Sequence, residues 1–465
     1  MRLSPAFILI TLLLSPHRAA AQDSLPPALR TKIDAEVAAV LKATGAPGAS
    51  IAVVRDAAVA YVHAYGLAST EPQRPATPQM RYSIGSISKQ FTAAALLMLQ
   101  EEGKLSLDDR ISRWLPDLTR ADDVTIRQLL SMTSGYQDFW PQDYVMPPML
   151  LPTDAQKILD GWAKKPLDFE PGTKWQYSNT NYVAAGLIVE RVAGMPLLTF
   201  LRQRVFDPLT MTTVMDSDQA PLPDTDASRY LRYGIGPLRP APKEGKGWMF
   251  AAGELAMTAA DLAKWDIALI NQSMLKPASY KALATEVVLA NGVGTGYGLG
   301  VNVAAQNGRR LLSHGGEVSG FTAQNAVYPD DRVAIVVQVN LDASGASGQI
   351  ANRIATALFA VTDSSSAAAV KQMREIFTGL QEGRIERSRF TANANAYFSP
   401  TALADFASGL KPLGTPKEFI ATSQGLRGGM VVRRFQIKFE KRTLSLTTFT
   451  MPDGLIEQYQ IAAVD

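Results

Sequence analysis

Strand-like segments fall into an early pair and a late group, and this separation constrains the fold more than any other feature. Residues 49–55 and 59–65 are β-branched apolar runs around Asp56-Ala57, which predicts a hairpin. The late runs are residues 297–303, 310–314, 324–328 and 333–340. Short helical patterns and Pro- and Gly-rich loops fill the interval. We therefore predict an α/β fold: one antiparallel sheet flanked by helices, with an inserted mainly helical region.

The composition changes near the end of this unit. Residues 363–369 are small and polar, which is typical of a linker between residues 22–362 and 370–465. In the second segment, helical patterns precede strands with alternating apolar residues such as Phe435, Ile437 and Phe439. This order predicts a small α+β domain. It is faintly similar to cone-shaped nuclear-transport-factor-like or cystatin-like domains.

The first residues have the pattern of a secretory signal peptide. A positive start is followed by a short apolar run and by Ala19-Ala20-Ala21, which predicts a signal peptide over residues 1–21. The sequence contains no Cys, so neither a disulfide nor a lipoprotein anchor is expected. We therefore expect a periplasmic or secreted protein, with no membrane span after cleavage. The formal net charge of +3 gives no indication of a nucleic-acid surface.

The histidine count restricts the chemistry. Only His17, His63 and His314 are present, and His17 lies in the predicted signal peptide. This nearly excludes a zinc site built from two or three histidines. No dinucleotide-binding or Walker glycine pattern follows a predicted strand. The expected chemistry therefore needs neither a metal nor a cofactor.

Ser86-Ile87-Ser88-Lys89 is the first candidate catalytic motif. It stands at the start of a predicted helix over residues 87–102, where positions three apart share one face. A partly desolvated lysine can lose its proton and act as a base toward the serine hydroxyl. The alternative is a helix cap next to an exposed lysine.

Two further motifs stand where a serine hydrolase needs them. Tyr177-Ser178-Asn179 is predicted on a loop, where Tyr177 is a candidate proton carrier and Asn179 a candidate partner of Lys89 and the substrate. His314-Gly315-Gly316 is predicted at a strand end, where glycines let substrate backbone approach closely. The structural alternatives are a packed loop aromatic, a turn asparagine and a structural histidine.

With these motifs in this order, residues 28–360 resemble serine hydrolases of the class C β-lactamase, D-Ala-D-Ala carboxypeptidase and esterase family. The resemblance implies that Ser86 forms an acyl-enzyme and that Lys89 and Tyr177 share the proton transfers. It also implies an oxyanion hole made by the main-chain N–H groups of Ser86 and Glu317, with Asn179 and the segment from His314 to Glu317 binding substrate.

The third motif departs from the pattern of β-lactam specialists, which have Lys-Thr-Gly there. His314 is mostly neutral at pH 7, so recognition of a substrate carboxylate is weakened. We therefore predict a serine acyl hydrolase acting on esters, amides or D-amino-acid peptides, with a small molecule or peptide as substrate. A true β-lactamase or D-Ala-D-Ala carboxypeptidase is the first alternative, and a non-catalytic penicillin-recognising protein is the second.

An α/β-hydrolase would also place its serine before its histidine, but the residues around Ser86 do not form Gly-x-Ser-x-Gly. The strands of residues 370–465 are also candidates for pairing with another copy of the chain, so a homo-oligomer through this domain is a further expectation.

Overall fold

The computed structural model describes residues 24–142, 144–362 and 364–464. The predicted signal peptide, residues 1–21, lies outside these described residues.

Twelve strands and ten helices precede residue 363 within the described part of the chain. The strands are β1 Gly48–Arg55, β2 Ala58–Thr70, β3 Gln73–Pro75, β4 Tyr82–Ser83, β5 Met215–Asp216, β6 Tyr230–Leu231, β7 Arg239–Pro240, β8 Leu255–Met257, β9 Asn302–Gln306, β10 Arg309–Val318, β11 Phe321–Tyr328 and β12 Val333–Val339. The helices are α1 Pro27–Thr44, α2 Lys89–Glu101, α3 Ile126–Leu130, α4 Ala155–Ile158, α5 Asn179–Ala193, α6 Leu197–Leu201, α7 Phe250–Gly253, α8 Ala259–Asn271, α9 Pro277–Leu283 and α10 Ala346–Thr362.

The main sheet joins the early and late strands, as the sequence predicts. Its order is β3-β2-β1-β12-β11-β10-β9, and every neighbouring pair is antiparallel. The join lies between β1 and β12, where Ile51 stands opposite Val337. The predicted α/β architecture with an antiparallel sheet and flanking helices is confirmed.

Both faces of the central strands are buried, which explains why β1 and β12 are almost continuously apolar. Ile51 and Val53 face the core formed with α1 and α10, whereas Ala52 and Val54 face the larger core that contains α2, α5 and α8. This period of two is the alternation expected of a strand. The larger core fixes the helical region against the sheet.

One predicted strand begins later than expected. Residues 297–303 were predicted as a strand, but β9 begins only at Asn302. Gly296 and Gly300 have φ values of 66° and 79°, which lie outside the β region. The backbone therefore turns repeatedly before β9, and Tyr297 is placed beside the candidate site instead of in the sheet.

The C-terminal segment forms a second sheet with its own hydrophobic core. Its elements are α11 Ser364–Gln381, α12 Ala392–Tyr397, α13 Pro400–Leu410, β13 Glu418–Arg427, β14 Met430–Lys438, β15 Thr443–Thr450 and β16 Ile456–Ala463. The four strands are antiparallel in chain order, and one face packs on α11 through residues such as Phe377, Phe419 and Phe435. The predicted small α+β domain is therefore present.

The predicted linker, residues 363–369, is helical from Ser364 onward. Small and polar residues suggested an irregular connection, but the run of three alanines at 367–369 favours helix. The described part of the predicted linker, residues 364–369, is therefore the start of α11.

No single helix in the described ranges is long and apolar enough to cross a membrane. One bent pair, Asn179–Ala193 with Leu197–Phe206, would be sufficient by length and composition alone.

The Phe377 side chain anchors the C-terminal core and gives a test of it. It is fully buried, with its ring centroid 6.2 Å from that of Phe419 and 6.0 Å from that of Phe439. We expect Phe377→Ala to lower the free energy of unfolding by about 3–5 kcal/mol, measured by urea denaturation followed by circular dichroism. Tyr397→Ala, which truncates a largely exposed aromatic residue, is the control and should cost less than about 1 kcal/mol. Equal effects of the two variants would contradict this packing.

Candidate active site

A short 3₁₀ turn, rather than the first turn of an α-helix, holds Ser86. The turn spans Gly85–Ser88 and leads directly into α2, which begins at Lys89. Hydrogen bonds to β8 anchor it: Ile84 N donates to Leu255 O (2.9 Å) and Leu255 N donates to Ser88 Oγ (3.2 Å). Ser86 is thus held on a tight, tethered turn at the entrance to the helix.

Lys89 lies at the centre of the site. Its Nζ lies 2.8 Å from Ser86 Oγ, 2.8 Å from Asn179 Oδ1 and 2.8 Å from the carbonyl oxygen of Ala252. The side chain is completely buried, which is rare for lysine outside functional sites. The predicted pairing of Ser86 with Lys89 is present in the structure.

The surroundings of Lys89 favour its neutral form. Burial lowers the pKa of the Lys89 ammonium to about 7, and the nearby Asp138 carboxylate opposes part of this shift. A neutral amine has two N–H donors and one lone pair. The two donors suit Asn179 Oδ1 and the Ala252 carbonyl, which leaves the lone pair directed at the Ser86 hydroxyl.

Tyr177 covers the other side of the lysine. Lys89 Nζ lies 5.0 Å from the centroid of the Tyr177 ring. Burial raises the pKa of the Tyr177 phenol well above its ordinary value, although a hydrogen bond with Ser86 offsets part of this effect. The phenol therefore keeps its proton at neutral pH, which suits a hydrogen-bond donor or a general acid.

Asn179 is fixed by Asp138, a residue that the sequence analysis missed. Asn179 N donates to Asp138 Oδ1 (2.9 Å), and its Nδ2 lies 3.3 Å from Asp138 Oδ2. Trp140 N also donates to Asp138 Oδ1 (3.1 Å). Because the amide nitrogen faces Asp138, its oxygen faces Lys89. Asp138 lies on an irregular loop, and no periodic pattern marks it in the sequence.

His314 lies inside β10, not at a strand end as predicted, because the strand continues through both glycines to Val318. Its Nδ1 lies 2.6 Å from Gly315 O, and its Nε2 lies 2.9 Å from the Tyr297 hydroxyl. Burial lowers the pKa of His314 to about 4, so the ring is neutral at pH 7. Nδ1 therefore carries the proton, Nε2 accepts from Tyr297, and both nitrogens are occupied within the protein.

One edge of β10 is open beside Ser86. Pairing between β9 and β10 ends at Ser313, so within the described residues no strand covers this edge from His314 to Val318. A Cβ on Gly316 would stand 1.9 Å from Ile84 O, and one on Gly85 would stand 2.8 Å from Glu317 N. The turn and the strand therefore touch backbone to backbone, which supports the expectation that the N–H groups of Ser86 and Glu317 form an oxyanion hole.

A cleft of about 670 Å³ opens above these residues. Its polar lining includes Ser86, Asp138, Tyr177, Asn179, His314, Glu317 and Asp342, and its apolar lining includes Phe139, Trp140, Tyr144, Val145 and Trp248. Neither Lys nor Arg occurs among the described residues that line the cleft. The charged groups at its surface are carboxyls, so the cleft favours cationic or neutral substrates over anionic ones.

The structure thus brings together all eight residues that the sequence singled out. Asp138, Tyr297 and Asp342 join them from separate loops, and sequence spacing alone gave no sign of these contacts. Within the described ranges, no cluster of three or more His, Asp or Glu side chains is arranged to hold a metal ion.

The Beta-lactamase family profile matches residues 33–358 of this chain. This match covers the main sheet, the helical region and every candidate site residue. The chain belongs to the beta-lactamase family and is a serine hydrolase of that family.

Relatives within the family are hydrolases of D-configured substrates or penicillin-binding homologues. A D-aminopeptidase of Brucella anthropi is 29% identical over 322 residues, which cover 68% of this chain and 60% of the relative. A D-stereospecific amidohydrolase from Streptomyces sp. is 27% identical, with a TM-score of 0.60 and coverage of 69% of this chain and 96% of that structure. This chain thus spans about 60% of the length of the D-aminopeptidase.

A third comparison reaches into the C-terminal segment. The octameric penicillin-binding protein homologue from Pyrococcus abyssi has a TM-score of 0.63 and covers 93% of this chain and 99% of its own. At 20% identity this likeness concerns the fold alone.

The charge of Asp138 should set the pH at which Lys89 becomes active. Because the neutral amine is the active form, the rate should rise with pH through about 7. The Asp138 carboxylate raises the pKa of Lys89, so Asp138→Asn should move the midpoint of this rise to lower pH, by up to about one unit. The measurement is the pH profile of kcat/KM for an ester. Asp160→Asn, which removes an exposed carboxylate paired with Lys164, should leave the midpoint in place. A shift to higher pH in Asp138→Asn would contradict the assignment.

The close approach of Gly316 to Ile84 gives a steric prediction. Gly316→Ala would force the backbone next to Ser86 to move, because its Cβ would stand 1.9 Å from Ile84 O. We expect kcat/KM to fall by about 10²-fold or more while the protein stays folded. Gly161→Ala, where a Cβ meets nothing within 4 Å, is the matched control. Wild-type kinetics of Gly316→Ala would show that this contact does not position Ser86.

Proposed function

We propose that this protein is an exported serine amidase or aminopeptidase that cleaves amides and short peptides of amine-bearing D-amino acids through a Ser86 acyl-enzyme. The observation on which the proposal depends is the cleft above Ser86 and Lys89, whose described lining offers carboxyls but neither Lys nor Arg. Such a lining attracts a protonated amine and gives a substrate carboxylate no counter-ion. The D-configuration is supported by the names of the D-aminopeptidase and the D-stereospecific amidohydrolase.

The acylation step follows from the contacts of Lys89. Its lone pair takes the Ser86 proton across 2.8 Å as the serine oxygen attacks the substrate carbonyl carbon. The N–H groups of Ser86 and Glu317 stabilise the oxyanion. The Tyr177 phenol keeps its proton and is hydrogen-bonded with Ser86, so it protonates the departing amine and recovers a proton from Lys89.

Deacylation reverses these roles. As a water molecule attacks the acyl-enzyme, its proton passes to neutral Lys89 through the Tyr177 hydroxyl, which accepts one proton and gives up another. Lys89 then returns the proton to Ser86 as the acid is released. Asn179 keeps Lys89 directed at Ser86 throughout, because Asp138 fixes the orientation of its amide.

Export to the periplasm or the medium is part of the same proposal. The N-terminal pattern of a positive start, an apolar run and Ala19-Ala20-Ala21 supports it, and so does the absence of Cys from the whole sequence.

The test compares D-alanine p-nitroanilide, L-alanine p-nitroanilide, a chromogenic ester and a fluorescent penicillin. We expect the D-anilide to be hydrolysed at least about tenfold more efficiently than the L-anilide, with slow or absent penicillin turnover. Ser86→Ala should abolish hydrolysis, whereas Ser388→Ala, on an exposed turn that does not line the cleft, should not. Penicillin turnover exceeding that of the anilides would instead indicate a β-lactamase. A stable penicillin adduct without turnover of any substrate would indicate a binding protein.

A further inference from the structure

Two carboxyl groups meet at the end of the open strand edge. The Ala343 N–H lies 2.9 Å from Glu317 Oε1 and 2.9 Å from Asp342 Oδ1, so both side chains converge on one donor. Burial raises the pKa of Asp342, and a hydrogen bond with Glu317 and the charge of Glu317 act in the same direction. Two carboxyls this close hold one proton between them at neutral pH and keep one negative charge.

The pair belongs to the same cleft as the nucleophile. Glu317 and Asp342 both line it, and Glu317 is exposed on the same face of β10 as Gly315. The backbone nitrogen of Glu317 is the expected oxyanion donor. Consecutive Cα atoms of a peptide lie about 3.8 Å apart, so the residue that follows a substrate carbonyl bound there is close to this pair. A charged group on that residue therefore comes within reach of Glu317 and Asp342.

The charge of the pair is not cancelled within the cleft. His314 is neutral, Asp138 is a further carboxyl, and Ser344 and Ser347 are the uncharged neighbours in the lining. Lys89 is buried beneath Ser86 and is neutral in the active form, and neither Lys nor Arg lines the described cleft, so the negative charge faces the substrate.

We propose that the Glu317–Asp342 pair is a charge filter that rejects substrates with a carboxylate on the leaving group and admits neutral or cationic ones. This inference rests on the proposed function and narrows its range of substrates. The enzyme cleaves substrates whose leaving group is neutral or cationic, and it discriminates against a leaving group with a free C-terminal carboxylate. Glu317 and Asp342 are specificity-determining residues, whereas Ser86, Lys89 and Tyr177 perform the chemistry.

The experiment uses two matched substrate pairs that differ in the charge of the leaving group. The first pair is 4-acetoxybenzamide and 4-acetoxybenzoate, corrected for their spontaneous hydrolysis and read by phenol release. The second pair is D-alanylglycinamide and D-alanylglycine, read by release of free D-alanine. Wild type, Glu317→Gln, Asp342→Asn and the double variant are compared, with Glu382→Gln, an exposed carboxylate of the C-terminal segment, as the charge control.

We expect wild type and Glu382→Gln to prefer the neutral member of each pair by about 10- to 100-fold, as one charge at close range implies. The preference should fall toward one in the double variant, mainly through faster reaction of the carboxylate substrate. Each substitution replaces a carboxyl by an amide of nearly the same shape, and thermal unfolding of the single and double variants checks that they are folded. A preference near one in wild type, or a preference that survives in every folded variant, would overturn the proposal.

The two pairs also separate this inference from the proposed function. If only the dipeptides resist Ser86-dependent cleavage, the D-aminopeptidase proposal fails, while the ester pair still decides whether the charge filter exists. If the dipeptides are cleaved but neither pair shows the preference, the charge filter fails and the proposed function stands.

Discussion

The site depends on a lysine buried without a counter-ion in direct contact. Lys89 Nζ lies 2.8 Å from each of three oxygen atoms, and burial brings its pKa to about 7. A lysine whose pKa is lower in the folded than in the unfolded chain destabilises the fold below its unfolded pKa. The cost grows as the pH falls toward 7 and reaches on the order of 5 kcal/mol. Packing of the large core around α2 offsets this destabilisation. The buried amine can in turn accept the Ser86 proton at neutral pH.

Other features of the site follow from the need to hold that amine in one orientation. Asp138 fixes the Asn179 amide so that its oxygen meets Lys89, and β8 tethers the turn that presents Ser86. The neutral ring of His314 avoids placing a second cation near the lysine, since a charged ring would lower the pKa of Lys89 further. Where Lys-Thr-Gly enzymes have a lysine, this chain has the neutral His314. No other residue of the described cleft lining restores a positive charge there. In the proposed function, the acidic lining rather than the catalytic triplet accounts for the preference against β-lactams.

Much of this architecture could be read from the sequence because it depends on periodicity and ordered motifs. The apolar runs over residues 49–55 and 333–340 predicted early and late strands that join in one antiparallel sheet. The three-residue spacing of Ser86 and Lys89 predicted the contact between their side chains. Sequence-based predictions failed where backbone turns or tertiary contacts determine the local structure. The glycines around Tyr297 prevent a strand, and the alanines at 367–369 continue a helix. Asp342 meets Glu317 only because the loop after β12 brings Ala343 N within hydrogen-bond distance of Glu317 Oε1.

The central claim is that Lys89 is a neutral amine when the enzyme works, and an NMR titration of its side chain tests this most directly. The protein would be labelled with ¹³C at the lysine ε-carbons, and the Lys89 signal would be assigned by its loss in Lys89→Met. The account predicts a titration midpoint near pH 7 for this signal, well below those of the exposed lysines. A Lys89 midpoint near 10.5, together with undiminished hydrolysis at pH 7.5, would contradict it.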